Sequence, residues 1–333
     1  MKKRKFIIVI LSGLVLTWLF FKTPAPAERI LNIQNYLITV GGIISTFVIA
    51  YLSAKIFNLR AERENRQIKI DELSDKLTDF RRLLYYVMSS REFWAHYEDI
   101  KKFRQKYPNL TYASLHGDPL SEDAKAVWND EELSPSTIDL YCSMMAIYGE
   151  PDIAKARIWA NDKSVSFHYS IDELKSFWDP CNQIWYYLDG RYSKHGRGRF
   201  TDNGMNPIWA PYVKDLLPKI DLKFKGADFH REIVAAIGSD FYEYGIPTLI
   251  KLLKRNTGVP PVLVKTFFSL IAIMTFGVIF PLIIQSINIS DKLNILSTLT
   301  CVLLTVLSLI MFLFDFIQFL YEDVHIVQKS GPK

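Results

Sequence analysis

Little in this chain speaks for an enzyme or a disulfide-built scaffold. Only three cysteines occur among 333 residues. Cys142, Cys181 and Cys301 form no C-x-x-C pair and one lies in an apolar run, so neither a disulfide framework nor a zinc site is indicated. A reducing compartment suits them. No Walker loop, G-x-S-x-G or H-E-x-x-H motif occurs. His96, His116, His168, His195, His230 and His325 are scattered, which gives no metal-ligand cluster. Neither catalytic residues, a metal nor a cofactor is expected. Glycine and proline number 15 each, which excludes collagen-like and low-complexity chains. The aromatic share of 14% supplies more burial than a disordered chain carries.

One loose match is set aside on physical grounds. Pro151 and Asp152, followed by Glu173 and Lys175, fit the PD…ExK pattern of metal-dependent nucleases. That chemistry holds a divalent ion between acidic residues and a lysine on adjacent strands, whereas residues 171–178 read as helix, so the match is taken as coincidence.

What the chain does have is apolar length, concentrated in its first fifty and last seventy positions. Crossing about 30 Å of hydrocarbon takes roughly 20 mostly apolar residues. Residues 6–21, 30–57, 262–287 and 293–320 meet or approach this, and the last two carry only Lys265 and Asp315 as charges. The connections 22–29 and 288–292 are short, so the spans pair as two helical hairpins. The first segment also has a signal-peptide reading, through Lys2, Lys3, Arg4, Lys5 and the Ala25-Pro26-Ala27 stretch. Lys22 and two prolines make that cleavage region irregular.

Orientation follows from lysines and arginines near the membrane. The amino terminus carries four. Lys55, Arg60, Arg63, Arg66 and Lys69 follow the second span, and Lys251, Lys254 and Arg255 precede the third. The short connections hold only Lys22, Arg29 and Lys292. Both termini and the middle region are therefore expected in the cytoplasm of a cell whose inner (plasma) membrane the chain crosses. The fold class expected is mainly α: four transmembrane helices in two hairpins, with a helical cytoplasmic domain inserted between them. The boundaries are 1–57 for the first hairpin, 58–90 for a juxtamembrane helix, 91–258 for the cytoplasmic domain, 259–321 for the second hairpin and 322–333 for a tail.

No proline or glycine interrupts residues 43–107 up to Tyr107, so the second span should continue into the cytoplasm as one helix. Ile56, Leu59, Arg63, Arg66, Ile70, Leu73, Leu77, Phe80, Leu84 and Val87 recur at spacings of three and four. That heptad asks either for a coiled-coil partner or for helices of the same chain's own domain. Arg63 and Arg66 at the seam mark either the wet vestibule of a central passage or a seam broadened at the lipid headgroups.

Two stripes are candidate pore linings. Ser297, Cys301, Thr305, Ser308 and Asp315 share one side of the last span, and Asn35, Thr39, Gly42, Thr46 and Ser53 share one side of the second. An ionisable residue such as Asp315 inside a span usually faces a bundle interior or water, although small hydroxyl residues also serve close helix packing. Pro281 should kink the third span or free a carbonyl there.

In the middle region short amphipathic helices are expected near 137–148, 171–178, 185–188, 213–217 and 229–237, with brief strand-like alternation at 165–169. A basic loop stands out. Arg191, Lys194, His195, Arg197 and Arg199 sit among glycines, with Tyr192 and Phe200 available for stacking. Such a loop can grip a phosphate-bearing ligand, either a nucleotide or a single-stranded nucleic acid, or else touch anionic headgroups.

In layout, membrane helices around a cytoplasmic sensing domain, the chain resembles the membrane effectors of bacterial anti-phage defence, such as the channel-forming component of the Hailong system. The resemblance covers the whole chain as an arrangement of segments and rests on no diagnostic residue. It implies an oligomeric ion channel held shut by a nucleic-acid ligand and opened during infection to arrest growth. Four spans per chain are too few to enclose a wide passage, so that reading requires a homo-oligomer. The alternative is a membrane-anchored scaffold or receptor that recruits a cytoplasmic partner.

Overall fold

A computed structural model of the chain describes residues 27–149, 167–189, 204–255, 258–287 and 290–329, with side chains from 28 to 317. Among the described residues all regular structure is helical. The mainly α class therefore stands. The alternation at 165–169 builds no strand in the part described: residues 167–170 are irregular and lead into a helix.

The chain divides into two compact units, Met1–Arg63 with Thr257–Lys333, and Glu64–Asn256. One helix, α1 (Ala27–Ser89), contributes to both. As the lack of glycine and proline after position 43 requires, it runs unbroken for 63 residues.

In the first unit α1 is joined by α10 (Pro261–Met274), continued through a π turn at Thr275–Ile279 into α11 (Phe280–Ser286), and by α12 (Asp291–Lys329). Three helical stretches, Glu28–Ser89, Pro261–Ser286 and Asp291–Ile317, are long and apolar enough to cross a membrane. Residues 6–21, the remaining apolar segment, lie outside the described residues. Val48, Leu52, Leu263 and Leu270 form the apolar core of this unit. Tyr51 meets Phe316 edge-on at 5.2 Å.

The second unit comprises the distal part of α1, then α2 (Tyr97–Lys106), α3 (Tyr112–His116), α4 (Glu122–Trp128), α5 (Pro135–Tyr148), α6 (Ile171–Leu188), α7 (Ala210–Ile220), α8 (Arg231–Asp240) and α9 (Ile246–Lys254). A π turn at Phe241–Gly245 joins α8 to α9. The helices expected at 171–178 and 185–188 are one helix, α6, which carries Pro180 in its interior. α6 starts at a capping box in which Ser170 and Glu173 satisfy each other's backbone N–H groups. It packs against α5 and α8. Gly238 of α8 allows the close crossing, because a Cβ there would lie 3.0 Å from the Cys181 carbonyl oxygen.

The heptad stripe changes character along α1. Ile56 is 57% exposed, whereas Leu77, Phe80, Leu84 and Val87 are fully buried. Positions off the stripe are buried there too: Leu83, Tyr86, Arg81 and Arg82. A coiled-coil seam would leave the opposite face wet. The distal stretch of α1 is instead covered all round by its own unit. Phe80 stacks on Phe241 at 5.3 Å, and Tyr86 stacks on Tyr212 at 5.5 Å.

Candidate functional sites

Inside the first unit, Gln34, Gly41, Ser45, Val48 and Leu52 share the buried side of α1. Gln34 donates hydrogen bonds from Nε2 to Asn294 Oδ1 at 2.8 Å and to Thr298 Oγ1 at 2.7 Å. In hydrocarbon an unpaired amide is expensive, so this network fixes the register of α1 against α12 at one end of the unit. Midway, backbone meets backbone. A Cβ on Gly41 would lie 3.0 Å from the Gly277 carbonyl oxygen, and one on Gly277 would lie 3.2 Å from Thr305 Cγ2. Small residues on all three helices thus let the backbones close up, the usual basis of packing between transmembrane helices. Pro281 follows the π turn and has no N–H, so in an α-helical register the Gly277 carbonyl is the one it leaves without a donor.

The two candidate stripes fall in different surroundings. Cys301, Thr305 and Ser308 are buried inside the unit. Thr305 and Ser308 donate their hydroxyls to the carbonyls of Cys301 and Leu304. Ser297 and Asp315 are half-buried. Asn35, Thr39 and Thr46 lie on the exposed side of α1, roughly a third of a turn from Gln34 and Ser45. Thr39 donates to the Asn35 carbonyl and Thr46 to the Gly42 carbonyl, both at 2.9 Å. Each hydroxyl proton is thereby satisfied within the helix, while the oxygen keeps lone pairs for another group. Asn35 Oδ1 accepts from Gln285 Nε2 at 3.0 Å. A Cβ at Gly42 would meet nothing within 4 Å.

The vestibule candidates have backbone partners. Arg63 donates to the Gly258 carbonyl at 3.0 Å, and Arg66 makes a longer contact of 3.5 Å to the Arg255 carbonyl.

In the second unit the most polar buried arrangement centres on Asp139 of α5, which is 3% exposed. Its Oδ1 pairs with His116 Nε2 at 2.7 Å, and its Oδ2 accepts from the Tyr187 hydroxyl at 2.7 Å. Burial, then the nearby Asp139 carboxylate, push the Tyr187 phenol well above its ordinary range. The His116 ring stacks on Tyr112 at 4.4 Å. The group clamps α3 and α6 to α5. Its members are far apart in sequence and belong to no motif, which is why the sequence treats His116 as a lone histidine.

A second buried charge, Arg81, donates to the Tyr148 carbonyl at 2.6 Å and to the Tyr169 hydroxyl at 3.3 Å. Its guanidinium lies 5.0 to 5.5 Å from the ring centres of Phe167, Tyr169 and Phe177. This cage belongs to the core. Gly149 closes α5 beside it with φ +77°, a conformation that favours glycine.

Of the PD…ExK residues, Glu173 closes the α6 cap and Lys175 pairs with Asp172 at 2.8 Å. Pro151 and Asp152 lie outside the described residues, as do Arg191, Tyr192, Lys194, His195, Arg197 and Arg199 of the basic loop. Among the described residues no group of three or more histidine, cysteine, aspartate or glutamate side chains could hold a metal ion. No protein-family model, curated protein or solved structure matches the chain.

Proposed function

We propose that the chain is one subunit of a homo-oligomeric ion channel of the inner (plasma) membrane, controlled by its helical domain on the cytoplasmic side. The observation that carries this reading is the stripe of Asn35, Thr39 and Thr46 on the exposed side of α1, with open space at Gly42. A polar stripe turned away from the protomer's own core is better placed against a shared aqueous axis than against lipid. Cys301, Thr305 and Ser308 are engaged in packing inside the unit, so the lining role is assigned to α1. Residues 6–21 supply the fourth span in this proposal and complete the first hairpin.

The lysine and arginine bias supports a cytoplasmic position for the helical domain and both termini in this proposal. The layout resemblance to anti-phage membrane effectors supplies the physiological setting, growth arrest on opening, and an anionic ligand supplies the control.

Electrical recording on the purified full chain in planar bilayers tests the proposal. Conductance is expected, and Thr39→Cys and Thr46→Cys channels should be blocked by a water-soluble thiol reagent that leaves the parent protein, with its buried Cys301, conducting. Absence of conductance under every ligand condition, together with a monomer in detergent, refutes the channel. Conductance that is indifferent to reagent at both positions moves the lining away from α1.

A further inference from the structure

In a homo-oligomer, contact between helical domains has to come from outside the heptad of α1, because its own unit already covers Leu77, Phe80, Leu84 and Val87. The second unit offers a face for it. The π turn Phe241–Gly245, the 3-10 turn Leu222–Phe224 and the stretch of α1 around Leu73 border an open recess of about 200 Å³. Leu73, Phe224, Ile237, Phe241 and Tyr244 are among its walls. Sites for drug-sized ligands and cofactors run from about 300 to 1,000 Å³, so this recess suits a side chain better than a ligand.

Its make-up is that of a protein contact. Ile237 and Phe241 are buried at the floor, whereas Tyr244 on the rim is 68% exposed. Charges of both signs surround the apolar floor. Lys223 pairs with Asp221 at 3.1 Å and with Asp240 at 2.6 Å, and both carboxylates line the recess. Lys76, also on the wall, pairs with Glu72 at 2.7 Å. With the exposed Lys225 beside them, these lysines and carboxylates balance, so two copies of the face do not repel each other. An apolar centre within a polar rim is how binding energy is concentrated at protein interfaces.

The matching knob is on the same chain. Leu222 opens the 3-10 turn and is 78% exposed, more than any other large apolar side chain among the described residues. With three residues per turn, Asp221 and Phe224 share one side, toward the recess, and Leu222 stands about a third of a circle away. It therefore leaves the recess of its own chain open. Single exposed leucines are common and need no explanation; this one stands beside an open apolar recess of side-chain size.

We propose that Leu222 of one copy inserts into the recess of a second copy of this chain, so that the helical domains associate head to tail. A knob and a socket at different places on one chain make a heterologous contact, which generates a ring when its rotation closes. Ring symmetry is what a channel needs. The inference rests on the homo-oligomer of the proposed function and supplies its contact on the domain side.

The test uses the full-length protein. A chain carrying Leu222→Cys is co-expressed with a differently tagged chain carrying Tyr244→Cys, and the membranes are mildly oxidised; the native cysteines are buried. A disulfide joining the two tags is expected, and none when Leu120→Cys, which lines no part of the recess, replaces Leu222→Cys. Light scattering in detergent gives the second readout. Leu222→Asp should raise the concentration at which the oligomer half-dissociates by about tenfold or more, and Leu222→Met should stay near the parent. Both variants should unfold within a few degrees of the parent, because the side chain touches little of its own chain. The contact is overturned if the disulfide fails to form or if Leu222→Asp assembles as the parent does. A monomeric parent refutes the homo-oligomer itself, whereas an oligomeric, conducting parent indifferent to Leu222→Asp keeps the channel and removes only this contact.

Discussion

Substituting two adjacent glycines separates packing inside the protomer from any role on its outer face. At Gly41 an added Cβ would lie 3.0, 3.1 and 3.2 Å from the carbonyl oxygen, carbonyl carbon and Cα of Gly277. These are backbone atoms and cannot rotate aside. Ordinary contact begins at 3.4 Å, so Gly41→Ala requires α1 and the π turn to part by about 0.4 Å, the difference between 3.4 and 3.0 Å. Valine asks for more. Thr305 also packs against Gly277, so the displacement disturbs α12 as well. Overpacking of this kind costs about 1–3 kcal/mol, or roughly a five- to 150-fold loss in the folded ratio at tenfold per 1.4 kcal/mol.

One residue later the geometry reverses. Nothing lies within 4 Å of a Cβ at Gly42, and alanine in a helix is favoured over glycine by about 0.5–1 kcal/mol. The readout is N-ethylmaleimide labelling of Cys301, which is 5% exposed, resolved by mass spectrometry and followed through a titration with SDS in mixed micelles. Gly41→Val should expose Cys301 at clearly lower SDS than the parent, and Gly42→Val should match the parent. Equal midpoints for the two variants would refute the three-helix contact. Under the channel reading Gly42→Val should still alter conductance, because it fills the lining side.

Four further outcomes are expected. Gln34→Leu should lower the same midpoint by an amount equivalent to about 1–2 kcal/mol, since two intramembrane hydrogen bonds average roughly 0.6 kcal/mol each and reach 1.7; an unchanged midpoint would remove the network from the stability of the unit. Asp139→Leu should destabilise the second unit by about 2–4 kcal/mol in urea unfolding followed by tryptophan emission, because it strands the Tyr187 hydroxyl and His116 in a buried site, and His116→Ala should cost less. Burial pushes the phenols of Tyr86 and Tyr141 up to about 12 from 10; a raised folded pKa gives stability that is complete below pH 10 and lost on going up through 12, so unfolding and late tyrosinate absorbance at 295 nm should coincide in that window. Asp315→Asn should change ion selectivity in bilayer recordings by more than Ser308→Ala does, and equal effects would argue against a wet Asp315.

The sequence shows the greasy helices well because hydrocarbon length and the absence of charge are properties of contiguous residues. α1 is legible for the same reason: nothing between Ile43 and Ser89 can break it. The short helices of the second unit come through only in pieces. α6 divides in the sequence at Pro180, yet the chain carries the helix through it, and tertiary packing against α5 and α8 overrides the local signal. The heptad is a correct periodicity whose partner no periodicity can name. Leu77, Phe80 and Leu84 are equally consistent with a second copy or with a domain wrapped round them, and the burial of Arg81 beside them is invisible until Tyr148 and Tyr169 are brought near.

The π turn at Thr275–Ile279 imposes a rule of length on its span. Such a turn holds one residue more than an α turn, and each residue in a helix is worth about 100° of rotation. Gln285 meets Asn35, and Ile284 lies buried, with that surplus residue in place. Deleting any single position from the turn would let the helix relax to ordinary pitch and wheel the whole far end by more than a quarter circle, aiming the amide at lipid tails. Within this stretch many side chains could be exchanged, but the number of residues could not.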